Sequence, residues 1–196
     1  MDIKICKLSE LSEELVDQSV AILVDGLYDG GFSAISKDKN ILKELFKDSL
    51  VYDMNYACLC DGEVAGYLGV GNSSTRPAGN MKRETFERLF GKLRGGMMYK
   101  PVSKGFCEPF VESDEEIEIG FLVTNPRFRG RGIATQLIRY VCENFDYKYC
   151  VLDVLSKNTN AKRLYEKLGF KQVKVKSDWL LRLHGIGNAI TMRLEL

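Results

Sequence analysis

The residues best suited to chemistry lie in the stretch NPRFRGRGIATQLIRY, residues 125–140, where Arg127, Arg129 and Arg131 interleave with Gly130 and Gly132 directly ahead of a helical pattern. A helix N-terminus leaves main-chain N–H groups unpaired, and these favour an anion. Glycine has no Cβ to hold that anion off. Arg129, Gly130, Arg131, Gly132, Ile133 and Ala134, followed by Thr135, therefore read as a cradle for a pyrophosphate. Spacing separates three designs that could use such a turn. A nucleotide P-loop needs G-x-x-x-x-G-K-[ST], and no Lys-Ser or Lys-Thr pair stands where it should. A dinucleotide fingerprint needs a third small residue where Thr135 stands, and a βαβ setting instead of the antiparallel one read here. The third pattern, [RQ]-x-x-G-x-[GA], is matched by Arg129, Gly132 and Ala134.

These residues need elements to position them. IEIGFLV (117–123) reads as a buried strand ahead of the turn. Ala134, Leu137, Ile138, Val141 and Phe145 recur at helical spacing and predict an amphipathic helix over 132–145. YCVLDVL (149–155) is the next strand, Asn158 to Leu168 the next helix, and FKQVKV and ITMRLEL the last two strands. Upstream, residues 2–8 alternate as a strand, and Val16, Val20, Leu23 and Leu27 mark a helix with Ser12 as cap. A second helix is expected over 38–48. Asp61-Gly62 between two apolar runs predicts a hairpin. Residues 72–112 are too long for a simple connection and read as a lid or a disordered excursion; they carry one helix at about 81–94, stopped by Gly95-Gly96. Strands and helices alternate only in the second half, so the fold class is α+β with a mixed sheet. No repeat or boundary divides residues 1–196, which read as one domain with a helical insertion at about 72–112.

Composition narrows the function. A net charge of +1 speaks against a general nucleic-acid binder, so the three arginines need a local explanation. Cys6, Cys58, Cys60, Cys107, Cys142 and Cys150 are scattered among apolar neighbours and read as reduced core thiols. With His184 the only histidine, no residue set has the spacing of a zinc site, and no metal is expected. Neither a signal-type N-terminal run nor an apolar stretch near the ~20 residues needed to cross a bilayer is present, which predicts a cytoplasmic protein without a membrane partner.

A second motif follows the first. NTNAKRLYEKLGF sets Asn158, Ala161, Tyr165, Gly169 and Phe170 at N-x-x-A-x(3)-Y-x(3)-G-F spacing. With both motifs in this order, each behind a strand, the sequence resembles the GNAT superfamily of N-acetyltransferases. The likeness is specific over residues 115–175 and looser over the strand-helix-helix-hairpin start, and the excursion at 72–112 departs from a minimal member. The resemblance implies a mixed central sheet of about seven strands with helices on both faces. Its fourth and fifth strands, 117–123 and 149–155, would splay to admit the pantetheine arm of acetyl-CoA.

The resemblance also implies roles. The turn Arg129 to Thr135 would hold the pyrophosphate, a main-chain N–H within Leu122, Val123 and Thr124 would hold the thioester oxygen, and Asn158 would bond the pantetheine arm or simply cap its helix. Glu118 is the expected base for an acceptor amine of pKa near ~10.4, directly or through water, set against a strand residue paired with a basic neighbour. Tyr165 is the expected acid for the departing thiolate, or else core packing. Arg127 and Arg131 would meet the adenosine 3′-phosphate or only solvent.

Near the acceptor side, residues 76–104 carry eight basic and two acidic residues, whereas residues 105–118 carry six acidic and no basic ones. The acidic run could attract a cationic amine, the basic helix could fold over the cofactor or recognise an acidic acceptor, or the two could neutralise each other. Trp179 and His184, in the loop 177–189, could border the cleft. The expected partners are acetyl-CoA and an amine-bearing small molecule or peptide, and the chain is expected to be a monomer or homodimer. A non-catalytic acyl-CoA sensor or interaction module is the rival reading, and a nucleotide-binding oxidoreductase a weaker one.

Overall fold

The computed structural model describes residues 2–176 and 188–196. Trp179 and His184 lie outside the described residues. Seven strands form one sheet in the order β1-β2-β3-β4-β5-β7-β6. They are β1 (Ile3–Lys7), β2 (Asn55–Cys60), β3 (Glu63–Gly71), β4 (Glu116–Thr124), β5 (Tyr149–Leu155), β6 (Lys171–Lys176) and β7 (Ala189–Glu195). All neighbours pair antiparallel except β4 and β5, which run parallel. The sheet is therefore mixed, as the sequence predicts. The hairpin turn between β2 and β3 places both Asp61 and Gly62 at positive φ, 51° and 86°.

Helices cover both faces. On one side α5 (Ile133–Asn144) and α6 (Thr159–Lys167) bury Ile133, Leu137, Ile138 and Tyr165 against Ile117, Ile119, Cys150 and Leu152. On the other, α1 (Glu13–Leu27), α2 (Lys39–Ser49) and α3 (Arg83–Phe90) bury Leu23, Leu42, Leu45, Phe46 and Phe86 against Tyr67, Phe121 and Val123. Each such fully buried aliphatic side chain contributes about 1.5–3 kcal/mol relative to exposure. Ser12 caps α1 by accepting from Leu15 N–H, and Asp38 caps α2 by accepting from Asn40 N–H. All six cysteines are free thiols. None of the helices among the described residues is long and apolar enough to cross a membrane.

The excursion between β3 and β4 differs from the sequence expectation. It holds two helices, α3 and α4 (Lys92–Cys107), separated at Gly91, whose φ of 82° breaks the chain direction. Gly95 and Gly96, read as a stop, lie inside α4. A Cβ on Gly95 would stand 2.2 Å from the Phe86 carbonyl oxygen. The glycine is there so that α4 can cross α3 at close range, a tertiary demand that outweighs the low helix propensity of glycine.

Candidate active site

β4 and β5 pair only from Glu116↔Tyr149 to Ile119↔Leu152. Beyond that point β4 continues to Thr124 and β5 to Leu155, so the two parallel strands part and open a cleft of about 990 Å³. Gly120 causes the parting on the β4 side. Val70 of β3 pairs with Ile119 and Gly69 with Phe121, which leaves Gly120 as the extra residue of a bulge. The irregularity lies two residues ahead of Leu122–Thr124, the segment from which an oxyanion donor is expected. That segment itself pairs regularly with Leu68, Tyr67 and Gly66. Asn125 N–H donates to Ala65 O of β3 at 2.9 Å. Amide direction alternates along a strand, so the N–H groups of Leu122 and Thr124 face away from β3, towards the opened side.

The cleft is walled by Leu122, Val123 and Thr124 on β4, by Arg129, Gly130 and Ala134 on the turn into α5, and by Asn158, Ala161, Leu164 and Tyr165 of α6 with its cap. Nine of the residues singled out in the sequence thus converge. Gly130 and Gly132 have φ of 76° and 78°, and open space surrounds the place a Cβ would take at each. Their glycine identity therefore serves the left-handed backbone. The first bond of α5 runs from Gln136 N–H to Gly132 O, 3.0 Å. Among the described residues, the N–H groups of Gly130, Arg131, Gly132, Ile133, Ala134 and Thr135 donate to no backbone oxygen, and Gly132 supplies no side-chain cap. A run of unpaired amides at a helix N-terminus suits a phosphate.

Other expected residues sit elsewhere. The Ile133 side chain is buried in the core beneath the turn. Arg131 lies over the Phe128 ring at 5.3 Å and borders a separate hollow with Cys60 and Asp61, and Arg127 pairs with Glu63 at 3.1 Å. Asn158 Oδ1 accepts from Ala161 N–H at 3.2 Å, so the residue does cap α6 while also facing the cleft. Tyr165 is 8% exposed and packs on Phe170; burial pushes its phenol up to about 12.

Glu118 does not line the cleft. It lies at the floor of the split, where β4 still pairs with β5, opposite Val151 and Gly71. The residue is 3% exposed. Arg76 grips it with both arms, Nε donating to Oε2 at 3.0 Å and Nη2 to Oε1 at 2.5 Å. A Cβ on Gly71 would come within 2.7 Å of Oε2 and one on Gly120 within 3.2 Å of Oε1, so two glycines make the space the carboxylate fills. Burial raises the Glu118 pKa above the ordinary carboxylate value; the charge and hydrogen bonds of Arg76 oppose this, Asp153 adds to it and Lys176 reduces it. Apart from this pair, the basic and acidic segments do not neutralise each other among the described residues. Arg88 pairs with Glu44 and Asp48 of α2, while Glu115 and Glu116 pair with Lys148 and Arg193.

Sequence reasoning missed the α1 wall of the cleft, formed by Ile22, Asp25, Gly26 and Leu27. Gly26 near the end of an amphipathic helix was the available signal. A Cβ there would stand 2.2 Å from Val123 Cγ1, so α1 rests directly on β4. Arg76, Phe110 and Asp153 around Glu118 carried no such signal.

The sequence matches the Acetyltransferase (GNAT) family over residues 36–170. The chain belongs to the GNAT acetyltransferase family. Its fold is also that of solved GNAT proteins. An N-acetyltransferase from Staphylococcus aureus Mu50 superposes with a TM-score of 0.64 at 16% identity, covering 97% of this chain and 100% of that one. A GNAT family acetyltransferase from Elizabethkingia anophelis with acetyl-CoA bound gives 0.57 at 16%, covering 99% and 98%. The ribosomal-protein-S18-alanine N-acetyltransferase from Escherichia coli gives 0.58 at 14%, covering 99% and 94%. No curated protein matches the sequence.

Proposed function

We propose that this GNAT protein is an N-acetyltransferase that moves the acetyl group of acetyl-CoA to a primary amine by direct attack in a ternary complex. One observation carries the reading: the cleft opened where β4 leaves β5 ends on the unpaired amides of the turn into α5. A diphosphate on those amides, with Arg129 beside it, would direct the attached arm down the split past Leu122–Thr124 and Asn158. The Elizabethkingia relative, which binds acetyl-CoA, supports this choice of donor.

In the proposed reaction the acceptor ammonium first gives one proton to Glu118, directly or through water. The freed nitrogen lone pair attacks the thioester carbon, and the oxyanion that forms is held by the Leu122 or Thr124 N–H. When the C–S bond breaks, Tyr165 passes its phenolic proton to the thiolate, and the second proton lost from nitrogen restores the phenol. At about 12 the Tyr165 phenol is fully protonated at neutral pH, as a donor must be. Against a thiol near ~8.5 the transfer is uphill unless the same dry site raises the thiolate's basicity too.

The locked state of Glu118, with both oxygens on Arg76, favours the second reading, a non-catalytic acyl-CoA sensor or interaction module. One experiment separates the two. Thermal shifts with acetyl-CoA, longer acyl-CoAs, NAD and ATP are followed by thiol release with a panel of amines. The transferase reading expects stabilisation by acetyl-CoA and amine-dependent thiol release, falling about tenfold or more in Tyr165→Phe, the lower bound of a general-acid contribution being ~10²-fold when no water substitutes. Stabilisation without release for any amine leaves the sensor. No response to any CoA ester removes both.

A further inference from the structure

Arg76 belongs to neither family motif and lies 42 residues from the side chain it holds. It stands at the entry to the β3–β4 excursion, and three hydrogen bonds fix its guanidinium. Two go to Glu118, and the third, from Nη1, goes to the Gly105 carbonyl near the end of α4 at 2.7 Å. The guanidinium also lies 5.7 Å from the Phe110 ring, and Lys176 Nζ lies 4.3 Å from the same ring. Lys176 is itself engaged by Asp153 at 3.2 Å, and Asp153 accepts from Thr191 Oγ1 at 2.6 Å. The charged groups around Glu118 are thus Arg76 from the excursion, Asp153 from β5 and Lys176 from β6, with the neutral Gly71 of β3 and Gly120 of β4 against its oxygens, while the Gly105 carbonyl of α4 holds Arg76. Arg76 is the only cation hydrogen-bonded to Glu118 among the described residues.

We propose that Arg76 is a positioning residue: braced by α4 and Phe110, it keeps the Glu118 carboxylate charged and fixed at the floor of the β4–β5 split, so that the β3–β4 excursion serves the base. The proposal rests on the reading that Glu118 is that base. Burial alone favours the neutral form of a carboxyl at this place, and a protonated Glu118 accepts nothing from an ammonium. The bidentate guanidinium holds it in the accepting form and in one rotamer. The carbonyl of Gly105 ties this geometry to α4, which gives residues 92–107 a role that their sequence did not reveal.

Two measurements test it. The first needs no acceptor: carbon-13 NMR of protein labelled at the glutamate carboxyls, titrated with pH, with the Glu118 signal assigned by its loss in Glu118→Gln. In Arg76→Met the midpoint moves upward by about one unit or more, and Arg76→Lys, which keeps a charge but not the fork, falls between. The second is the pH-rate profile with an amine found by thiol release. The acid limb moves upward with the same order of variants, slowing turnover about tenfold per unit below the limb, and Arg76→Met adds no limb shift in the Glu118→Gln background. An unmoved Glu118 midpoint in folded Arg76→Met overturns the proposal, as does a limb shift that persists without Glu118. Should Arg76→Met fail to fold, Arg76→Lys decides by the same criteria. A wild-type acid limb retained in Glu118→Gln is a different failure: it removes Glu118 as the base, whatever Arg76 does to its titration.

Discussion

At the turn before α5 the groups that would bind the donor are main-chain amides presented by two left-handed glycines within six residues of sequence. At the floor of the split, the Arg76–Glu118 pair joins side chains 42 positions apart through space cleared by Gly71 and Gly120. The first region is exposed, and its geometry is local. The second is buried, and each partner depends on the other to offset its desolvation. On the proposed reading the turn can therefore be altered at the expense of binding, whereas the floor of the split can be altered only at the expense of the fold as well.

The largest effect expected from this contrast is in Glu118→Ala. Removing one partner of a buried, hydrogen-bonded pair leaves the Arg76 charge without compensation, and the loss is about 3 kcal/mol, at the lower end for such pairs because Arg76 keeps some contact with water. Denaturant unfolding measures it. An unfolding free energy within about 1 kcal/mol of wild type, well short of the expected loss, would show that the pair is solvated and that the two regions do not differ in kind.

The same contrast explains what could be read from the sequence. The backbone of the turn was legible because helix entry, positive φ and unpaired amides are all set by neighbours in the chain, and Arg129, Gly130, Gly132 and Ala134 carry them. The strands around it were legible from alternation and apolar runs, and Tyr165 and Asn158 from one further local motif. Arg76 was not legible, because nothing near it in sequence says which carboxylate it meets. Gly95-Gly96 misled for a related reason: locally they read as a helix stop, and only the carbonyl of Phe86 on another helix explains why they continue one. The bulge at Gly120 hid inside IEIGFLV, since a buried strand and a bulged one share the same residue types.

A smaller change in stability but a large one in binding is expected from Gly132→Val. At φ of 78° a β-branched residue is strained, costing about 1–2 kcal/mol if the turn persists. If instead the turn relaxes, the amides swing off the phosphate, and the loss of one charge-assisted bond of about 1.5–3 kcal/mol weakens binding tenfold or more. Calorimetric titration of acetyl-CoA reads the second effect and thermal unfolding the first. Unchanged affinity without a loss of stability, the sign that the turn has relaxed, would mean that the diphosphate lies elsewhere.

The smallest effect sharpens the comparison most, because it separates charge from geometry at the donor end. Arg127 and Arg129 are two residues apart and both exposed, but Arg129 walls the cleft while Arg127 reaches back to Glu63, in a pair whose side chains are 74% and 54% exposed. Exposed pairs of this kind contribute little to stability. If a general field of positive charge drew the coenzyme in, removing either arginine would weaken binding comparably and with the same dependence on salt. If the fixed geometry of the turn does it, Arg127→Ala leaves the acetyl-CoA dissociation constant within about twofold and melting almost unmoved, since surface substitutions away from special features stay within about 0.5 kcal/mol. Arg129→Ala supplies the scale: a charge-assisted bond to phosphate lost there weakens binding about tenfold or more. Equal losses in the two variants would replace the built cradle with diffuse attraction, and would remove the reason for placing the acetyl group's delivery at the mouth of the β4–β5 split.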